Sequence, residues 1–458
     1  MFNFSLINLW CTKNLVDSQY VIWKLLSYNE ANLKEEINYI AEPYSDEVEY
    51  VFLNTCGFLS SGRAEMMEVL QKLLVKWKKV YILWCALQYF KWLKDDSEEY
   101  KKEVEEFNKF LQENSGKIFL ISWDDVNNIS VEKLKKWYIS KEFGDFIFPD
   151  SPRAYTDISY GYEYLKIAEW CDNHCSFCII PKIRWKQKSL PMETVMEQTK
   201  NMIASWVKEI IIISQDTTRY GTDLYWESKL FELLEQIDKL EWDFVFRLLY
   251  LYPDVISLKH LEKLKKLDKF LPYFDIPLQH ISSSVLKKMW RFYDTKYIYE
   301  FLDFIQNNFE NPFIRTNIIA WFPWETNEDF MELVEFLEEN YFDNIWLFQY
   351  HDEPLAASSK LPNKVDDKTL EYRFKFISNL VDNMLEKKNK KRKKQEQVWY
   401  VQDYDNEKLT VRPYMHCPEI DEVDEIKYED ITWVFNDTWE IDLWELVKYK
   451  TCFKTKNI

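Results

Sequence analysis

Glycine is scarce in this chain, and that scarcity constrains its fold more than any motif does. The 458 residues include 6 glycines and 20 tryptophans, whereas a usual glycine content of about 7% would supply roughly 32 glycines. Turns and helix C-caps that need a positive φ ordinarily use glycine, because it has no Cβ to clash with the backbone. Other residues must therefore occupy many of the glycine positions.

Tryptophan stands where glycine is expected. Trp206 follows a helical stretch and precedes a strand-like run, which is a C-cap position, and Trp324 lies in a turn that opens a helix. Three more directly precede cysteines: Trp10, Trp84 and Trp170. We hypothesise that the gene uses UGA as a glycine codon and that the printed translation reads it as tryptophan. UGG codons at Trp10, Trp170 and Trp324 would exclude this. The alternative is a truly tryptophan-rich protein with stacking surfaces for bases, but such residues would cluster on one face rather than at turns.

The remaining composition is that of a globular protein with large cores, since 47% of the residues are hydrophobic and 30% are charged. The sequence has no run of 18 apolar residues, as a membrane-spanning helix would need. The start, Met1–Ser5, lacks the basic segment of a secretory signal. We therefore expect a cytoplasmic protein without a membrane partner.

Alternating patterns predict an α/β protein of three domains. Residues 1–147 alternate strand-like and helical runs, which predicts a βαβ domain with a small parallel sheet. Residues 153–390 contain six strand candidates separated by helices, which indicates a partial (β/α)6 barrel. Residues 396–458 have short alternating strands typical of a small antiparallel β-barrel. The six central strand candidates are Tyr162–Ala168, Val207–Ser214, Phe244–Leu249, Tyr273–Ile276, Phe313–Ala320 and Asn344–Phe348.

The strongest chemical signal is a C-x3-C-x2-C motif at Cys171, Cys175 and Cys178. Thiolates this close in sequence hold an iron–sulfur cluster or zinc. Zinc would need a fourth ligand such as His174, but a histidine adjacent to Cys175 would point away from the shared metal. The spacing is similar to that of the radical S-adenosylmethionine enzymes. In that superfamily, three cysteines leave one iron of a four-iron cluster free to bind the amino and carboxylate groups of the cofactor.

A second group of cysteines is predicted at one edge of the amino-terminal sheet. Cys11, Cys56 and Cys85 each lie at or just past the end of a predicted strand. Carboxyl ends of parallel strands share an edge, so these thiols can converge on a second cluster. The alternative is that they are buried structural cysteines, as we expect for Cys417 and Cys452.

Several stretches around these cysteines resemble those of the methylthiotransferases. The stretch Leu9–Ser18 is similar to their opening signature, and Ile167–Cys171 with Ile180–Trp185 is similar to their radical S-adenosylmethionine signature. Within that group, three stretches resemble the ribosomal-protein aspartate methylthiotransferase (RimO) family rather than the transfer-RNA adenosine (MiaB) branch: Gln215–Gly221, Arg247–Pro253 and Asp275–His280. The likeness spans essentially the whole chain, including a terminal barrel of the TRAM type. The stretch Tyr350–Leu355 fits the family only loosely.

The resemblance implies an enzyme with two 4Fe–4S clusters and S-adenosylmethionine. One molecule of the cofactor would supply a methyl group and another the radical that removes hydrogen from the β-carbon of an aspartate. That aspartate lies on small-subunit ribosomal protein twelve, and an electron donor would be a further partner. Four residues could contact the cofactor or the substrate carboxylate, although surface ion pairs would explain them equally well: Arg184, Gln215, Asp216 and Arg219. The rival interpretations are a transfer-RNA adenosine methylthiotransferase and a non-catalytic iron–sulfur carrier.

Charge argues against nucleic acid as the substrate. The formal net charge is −18, and from Glu396 to the end 15 acidic residues face 7 basic ones. Phosphate binding would require a basic face, whereas a ribosomal protein is basic and complementary to an acidic surface. We therefore expect the acidic run Glu419–Glu425 to dock the ribosomal protein or the small subunit. The alternative is that this run is simply a solvated loop.

Overall fold

The computed structural model describes most of the chain. The described residues are 1–9, 11–31, 36–122, 126, 131, 134, 153–155, 161–183, 186–392, 399–404, 407–421, 423–428, 431–434 and 446–449. Contacts divide the chain into two compact units. The first contains Met1–Thr156, Ala168–Leu190 and His351–Lys360, and the second contains Asp157–Ile167, Pro191–Tyr350 and Leu361–Ile458. Since these units gather segments that are distant in sequence, the three-domain division remains a prediction.

Strands and helices alternate along the chain as the sequence predicts. The strands are β1 (Phe2–Asn8), β2 (Ile37–Tyr39), β3 (Tyr50–Thr55), β4 (Lys79–Trp84), β5 (Ile118–Ile121), β6 (Tyr162–Lys166), β7 (Ala168–Glu169), β8 (Lys188–Ser189), β9 (Glu209–Ile213), β10 (Val245–Leu248), β11 (Phe270–Asp275), β12 (Phe313–Ala320), β13 (Asn344–Gln349), β14 (Trp399–Tyr404), β15 (Lys408–Pro413), β16 (Asp424–Lys427), β17 (Ile431–Val434) and β18 (Leu446–Tyr449). The α-helices are α1 (Thr12–Ala31), α2 (Ser60–Val75), α3 (Cys85–Leu87), α4 (Glu98–Glu113), α5 (Ile180–Ile183), α6 (Met192–Ala204), α7 (Thr222–Tyr225), α8 (Leu230–Asp238), α9 (Leu258–Leu264), α10 (Ser283–Lys288), α11 (Thr295–Asn308), α12 (Asn327–Glu338) and α13 (Asp367–Arg392). Short helical turns of other types are Gln88–Trp92, Thr217–Arg219 and Ala357–Lys360. None of the described helices is long and apolar enough to cross a membrane.

The first unit is built on a five-stranded parallel sheet in the order β2-β1-β3-β4-β5. Strand β3 is buried along its whole length, as expected for a parallel sheet covered on both faces. One face carries aromatic rings that contact each other from strand to strand. The ring centroids of Phe52 and Tyr81 lie 5.1 Å apart, and those of Tyr81 and Phe119 lie 5.0 Å apart. The predicted βαβ arrangement is confirmed.

The second unit contains an open parallel sheet of six strands in the order β13-β12-β11-β10-β9-β6. Every predicted central strand is present, and neighbours in the sheet are also neighbours in the sequence of strands. Strand β9 is buried at all five positions, as the hydrophobic run predicts. The order and direction of the strands confirm a partial (β/α)6 arrangement.

The carboxyl-terminal strands form an antiparallel sheet in the order β16-β15-β14-β18-β17. The strand β16 was not predicted, because Asp424 and Glu425 at its start belong to the acidic run, for which a solvated loop was the alternative. This strand pairs with β15 at the edge of the sheet, where charged side chains discourage pairing with another molecule. Within the same unit, the sheet is joined to β9 and β10 by buried charges. Both Arg247 and Arg412 lie 2.5 Å from carboxylate oxygens of Glu209, and all three side chains are fully buried.

Several tryptophans have a backbone conformation that glycine adopts readily. Eight tryptophans in the described chain have φ between 57° and 73°, a region that costs residues with a Cβ about 1–2 kcal/mol. They are Trp77, Trp84, Trp170, Trp206, Trp226, Trp290, Trp321 and Trp324. A positive φ is thus found at four of the positions where glycine was expected, Trp84, Trp170, Trp206 and Trp324, whereas Trp10 lies outside the described residues. The codon hypothesis itself remains a hypothesis about the gene.

Three of these tryptophans occupy the position that glycine fills in the Schellman motif at a helix end. After α6, the Trp206 amide donates to the Ile203 carbonyl at 3.0 Å and the Val207 amide donates to Met202 at 3.1 Å. The same pair of hydrogen bonds ends α2 at Trp77 and α10 at Trp290. This 6→1 and 5→2 pattern requires a left-handed residue at the first position past the C-cap.

A buried indole gives independent support for a smaller residue. Trp321 is 2% exposed, and its Nε1 has no hydrogen-bond partner among the described residues. Leaving a buried donor unsatisfied costs about 1–3 kcal/mol. Glycine at this position would remove both the unsatisfied donor and the backbone strain.

Replacement of Trp206 by glycine should stabilise the protein. Its side chain is 80% exposed, so little packing is lost, and relief of the left-handed strain exceeds the greater flexibility of glycine by about 1 kcal/mol. The matched control is Trp242→Gly, because Trp242 is 52% exposed but is not at positive φ. That change should lower the free energy of unfolding by about 0.5–1 kcal/mol. Urea unfolding followed by circular dichroism measures both, and destabilisation by Trp206→Gly would contradict the interpretation.

Candidate metal centres

The first candidate centre lies where three neighbouring strands of the first unit end. Cys56 follows β3 directly, Cys85 follows β4 directly, and Cys11 stands between β1 and α1. These strands are parallel and adjacent, with Asn8 opposite Asn54 and Thr55 opposite Trp84. The three predicted cysteines are therefore brought to one edge of one sheet.

The thiols of this group affect one another electrostatically. The pKa of Cys56 is raised to about 12, first by burial and then by the nearby thiolates of Cys85 and Cys11. Metal binding requires the thiols to lose their protons, and a bound cation would compensate the negative charge of the resulting thiolates. All three cysteines are free of disulfide bonds.

Buried polar side chains hold the loops that carry these cysteines. The Asn14 amide donates to the carbonyls of Leu9 at 3.3 Å and Thr55 at 3.1 Å, and the Asn54 amide donates to the Asn14 carbonyl at 2.7 Å. The Thr55 hydroxyl donates to Leu83 at 2.7 Å and accepts from the Ala86 amide. The Asn14–Leu9 bond is local to the segment after β1, and the other bonds join segments at different strand ends, so together they fix the cysteine loops relative to one another.

Two glycines leave the space that this centre needs. A Cβ added to Gly57 would lie 2.5 Å from the Cys85 carbonyl oxygen, and one added to Gly62 would lie 3.5 Å from the Cys56 sulfur. Sequence reasoning did not single out either residue. In a chain with 6 glycines, the two that follow Cys56 within six residues were a usable signal.

The second candidate centre lies in the loop between β7 and α5, also in the first unit. It carries Cys171, Cys175 and Cys178, all half-buried and free of disulfides. The sulfur of Cys171 accepts from the Asn173 amide at 3.4 Å, and the Cys178 amide donates to the Cys175 carbonyl at 3.0 Å. Asp172 accepts from the Gln187 amide at 2.8 Å and so fixes the start of the loop.

Which metal the cysteine sets would hold remains a prediction. The described residues include no group of three His, Cys, Asp or Glu side chains that could hold one metal ion. The zinc site with His174 that was considered for the loop remains an alternative to the cluster. Cysteines that bind different irons of one cluster stand further apart than the ligands of a single ion. The described structure contains two sets of three free cysteines, one at the sheet edge and one in the loop after β7.

The other predicted contact residues belong mainly to the second unit. Gln215 and Asp216 follow β9 at its carboxyl end. Asp216 is 2% exposed, accepts from the Thr218 amide at 3.0 Å and pairs with Arg219 at 3.4 Å. The ion pair that was considered as the alternative is thus present. Arg184 lies outside the described residues, and contact of all four with a cofactor remains a prediction.

Alkylation should distinguish Cys56 from the other cysteines in cluster-free protein. At pH 8 its buried thiol, with a pKa of about 12, should react with iodoacetamide at least about tenfold more slowly than Cys171, Cys175 and Cys178. Its rate should still rise between pH 9 and 11, since a larger fraction becomes thiolate as the pH approaches its pKa. Mass spectrometry of peptides gives each rate. The control is protein unfolded in urea, where all rates should converge, and equal rates in folded protein would contradict the burial of Cys56.

Comparison with known proteins identifies the family. The radical SAM superfamily model matches residues 165–337. The ribosomal protein uS12 methylthiotransferase RimO of Aquifex aeolicus is 34% identical over 91% of this chain and 89% of its own length. The RimO proteins of Clostridioides difficile and Chlamydia pneumoniae are 31% and 33% identical, over 98% and 91% of this chain and 100% and 85% of their own lengths.

Solved structures support the fold alone. The cobalamin-dependent S-adenosylmethionine radical enzyme OxsB is similar with a TM-score of 0.51 at 10% identity, over 81% of this chain and 56% of OxsB. The family rests instead on the sequence relatives, each of which this chain matches over most of its length. The chain belongs to the RimO family of radical SAM methylthiotransferases, which implies S-adenosylmethionine and 4Fe–4S clusters as its cofactors.

Proposed function

We propose that this enzyme transfers a methylthio group to the β-carbon of an aspartate on ribosomal protein uS12. The observation that carries the proposal is the pair of three-cysteine sets in the first unit, combined with 34% identity to a RimO protein over 91% of the chain. A carrier protein would need neither two such sets nor the six-stranded sheet. The ribosomal substrate also favours a cytoplasmic location.

We assign each cysteine set one cluster. Cys171, Cys175 and Cys178 would hold the cluster that binds S-adenosylmethionine, and Cys11, Cys56 and Cys85 would hold the auxiliary cluster. When bound, the reduced first cluster and S-adenosylmethionine supply the one-electron chemistry that such a transfer needs, with electrons from a donor protein or reductant. The chain itself keeps the cysteine loops in place and excludes water from the buried Cys56.

Roles in substrate or cofactor contact are proposed for the residues after β9. Arg219 keeps 36% of its side chain exposed while it pairs with Asp216, so its guanidinium can still meet a carboxylate. Asp216 is engaged by Thr218 and Arg219, which favours a role in positioning Arg219. Gln215 and Arg184 are proposed as further contacts.

Cysteine replacement separates the two clusters. Changing Cys171, Cys175 and Cys178 to alanine should halve the iron content and abolish cleavage of S-adenosylmethionine to deoxyadenosine. Changing Cys11, Cys56 and Cys85 should also halve the iron but leave cleavage, while methylthiolation of uS12 is lost. Iron analysis and mass spectrometry of uS12 measure these effects. Cys417→Ala is the control, because this buried thiol lies in the second unit and should not affect either cluster. Zinc at full occupancy after anaerobic purification, or modification of a transfer-RNA adenosine instead of uS12, would contradict the assignment.

The ribosomal partner is proposed to dock on the acidic run of the last domain. Parts of this run are already engaged, since Glu419 accepts from Tyr164 at 3.0 Å and Asp421 accepts from Asn344 at 2.5 Å. Glu425 is exposed and pairs with Lys408 at the sheet edge. Glu422 lies outside the described residues. Docking is therefore proposed to depend on Asp424 and Glu425 of the edge strand β16 and on the preceding Glu422, rather than on Glu419 or Asp421.

Charge reversal tests this docking surface. Changing Glu422, Asp424 and Glu425 to lysine should slow association with uS12 or the small subunit at least about tenfold and weaken its salt dependence. Cleavage of S-adenosylmethionine without substrate should persist. The matched control reverses the exposed Glu99, Glu105 and Glu106 around α4, which gives the same net charge. Equal slowing by both triple variants, measured by surface binding kinetics, would refute a specific docking site.

A further inference from the structure

The segment His351–Lys360 contacts the loops of both cysteine sets. It follows β13 in sequence but belongs to the first unit. Sequence analysis gave it no role beyond noting that Tyr350–Leu355 fits the family loosely. Its contacts fall into two groups, one beside Cys56 and one between Cys175 and Cys178.

At the Cys56 side, the contact is made by the buried carboxylate of Glu353. One oxygen accepts from the Ser60 amide at 2.7 Å, at the first residue of α2. The other lies 3.0 Å from Nη2 of Arg63, and these two side chains are only 2% and 4% exposed. A carboxylate at a helix N-terminus satisfies an otherwise unpaired amide and favours the helix dipole.

Arg63 connects Glu353 to the loop that carries Cys56. Its Nη1 donates to the Gly57 carbonyl at 3.2 Å, one residue after Cys56. The guanidinium also lies 4.0 Å from the centre of the Tyr89 ring and pairs with Glu103 at 3.0 Å. Glu353 therefore fixes the Cys56 loop from both ends, through the start of α2 and through Gly57.

At the other side, the contact is made by the backbone. The Ser358 amide donates to the carbonyl of Ser176 at 2.8 Å, between Cys175 and Cys178. Leu355 and Ala356 are each 1% exposed and belong to the same apolar cluster as Ile179 and Ile183, which follow Cys178. Polar and apolar contacts thus hold the same loop.

We propose that His351–Lys360 is a strap that positions the two cysteine loops relative to each other. Glu353 is the positioning residue for Cys56, and the Ser358 amide positions the loop of Cys175 and Cys178. This inference rests on the proposed assignment of one cluster to each set. The strap spans ten residues, so a displacement at one loop is transmitted to the other through a short, buried path.

The test uses the charge of Glu353 and a matched control on the same arginine. Glu353→Gln keeps the shape but weakens the hold on Ser60 and Arg63, whereas Glu103→Gln removes a charge from Arg63 without touching the strap. Both changes are made in protein whose Cys171, Cys175 and Cys178 are alanine, so that only the auxiliary cluster is read. Iron loss to a chelator should become about 10- to 100-fold easier in Glu353→Gln, with a changed electron paramagnetic resonance spectrum. Glu103→Gln should retain the parent spectrum.

The second arm tests the other loop. Ser358→Pro removes the amide that donates to Ser176, whereas Ser358→Ala keeps it. In protein whose Cys11, Cys56 and Cys85 are alanine, only the proline variant should alter the spectral change caused by adding S-adenosylmethionine. Unchanged spectra and iron retention in both Glu353→Gln and Ser358→Pro would overturn the strap, as would equal effects of Glu353→Gln and Glu103→Gln. A parent protein that lacks one of the clusters contradicts the proposed function instead, so the two failures are distinguishable.

Discussion

In the first unit, three parallel strands end at one edge of the same sheet, and the backbone must change direction directly after each of them. A parallel sheet orients all its strand ends alike, so residues that follow β1, β3 and β4 are neighbours although they are far apart in sequence. The turn after β4 is abrupt: Trp84 has φ 57° and the next residue is Cys85. Trp170 has φ 67° directly before Cys171. A left-handed residue directly before the cysteine turns the backbone at the point where the chain leaves the strand.

Local patterns in the sequence were sufficient for the six strands of the central sheet and for singling out both cysteine sets. Alternation and apolar runs report on burial of a strand from its own residues, and the spacing of Cys171, Cys175 and Cys178 is itself local. The strap could not be found in this way, because Ser60 and Glu353 are 293 residues apart. The strand β16 was missed for a different reason, since charged residues are usual in loops and only pairing with β15 makes them a strand. Trp77 and Trp290 each follow a helix, as Trp206 does, so the sequence carried the same indication of a left-handed residue at these two positions.

Two of the stretches that resemble the RimO family, Arg247–Pro253 and Asp275–His280, each begin with a residue in a buried ion pair of the second unit. Arg247 pairs with Glu209, which also binds Arg412 of the terminal sheet, and Asp275 pairs with Arg315 at 3.0 Å. Removing one member of such a buried pair leaves an uncompensated charge and costs about 3–5 kcal/mol. Residues that distinguish one branch of a family in sequence can therefore act through the support of the sheet rather than through contact with a substrate.

The left-handed tryptophans also bear on how this gene can move between organisms. If UGA also encodes glycine at position 10, as the codon hypothesis holds, a cell that reads UGA as a stop would end translation there, before Cys11. Such a cell would release a peptide that contains β1 and no cysteine ligand. Under the codon hypothesis, the positions that let the chain leave its sheets and helices would thus also restrict expression of the gene to hosts that share its genetic code.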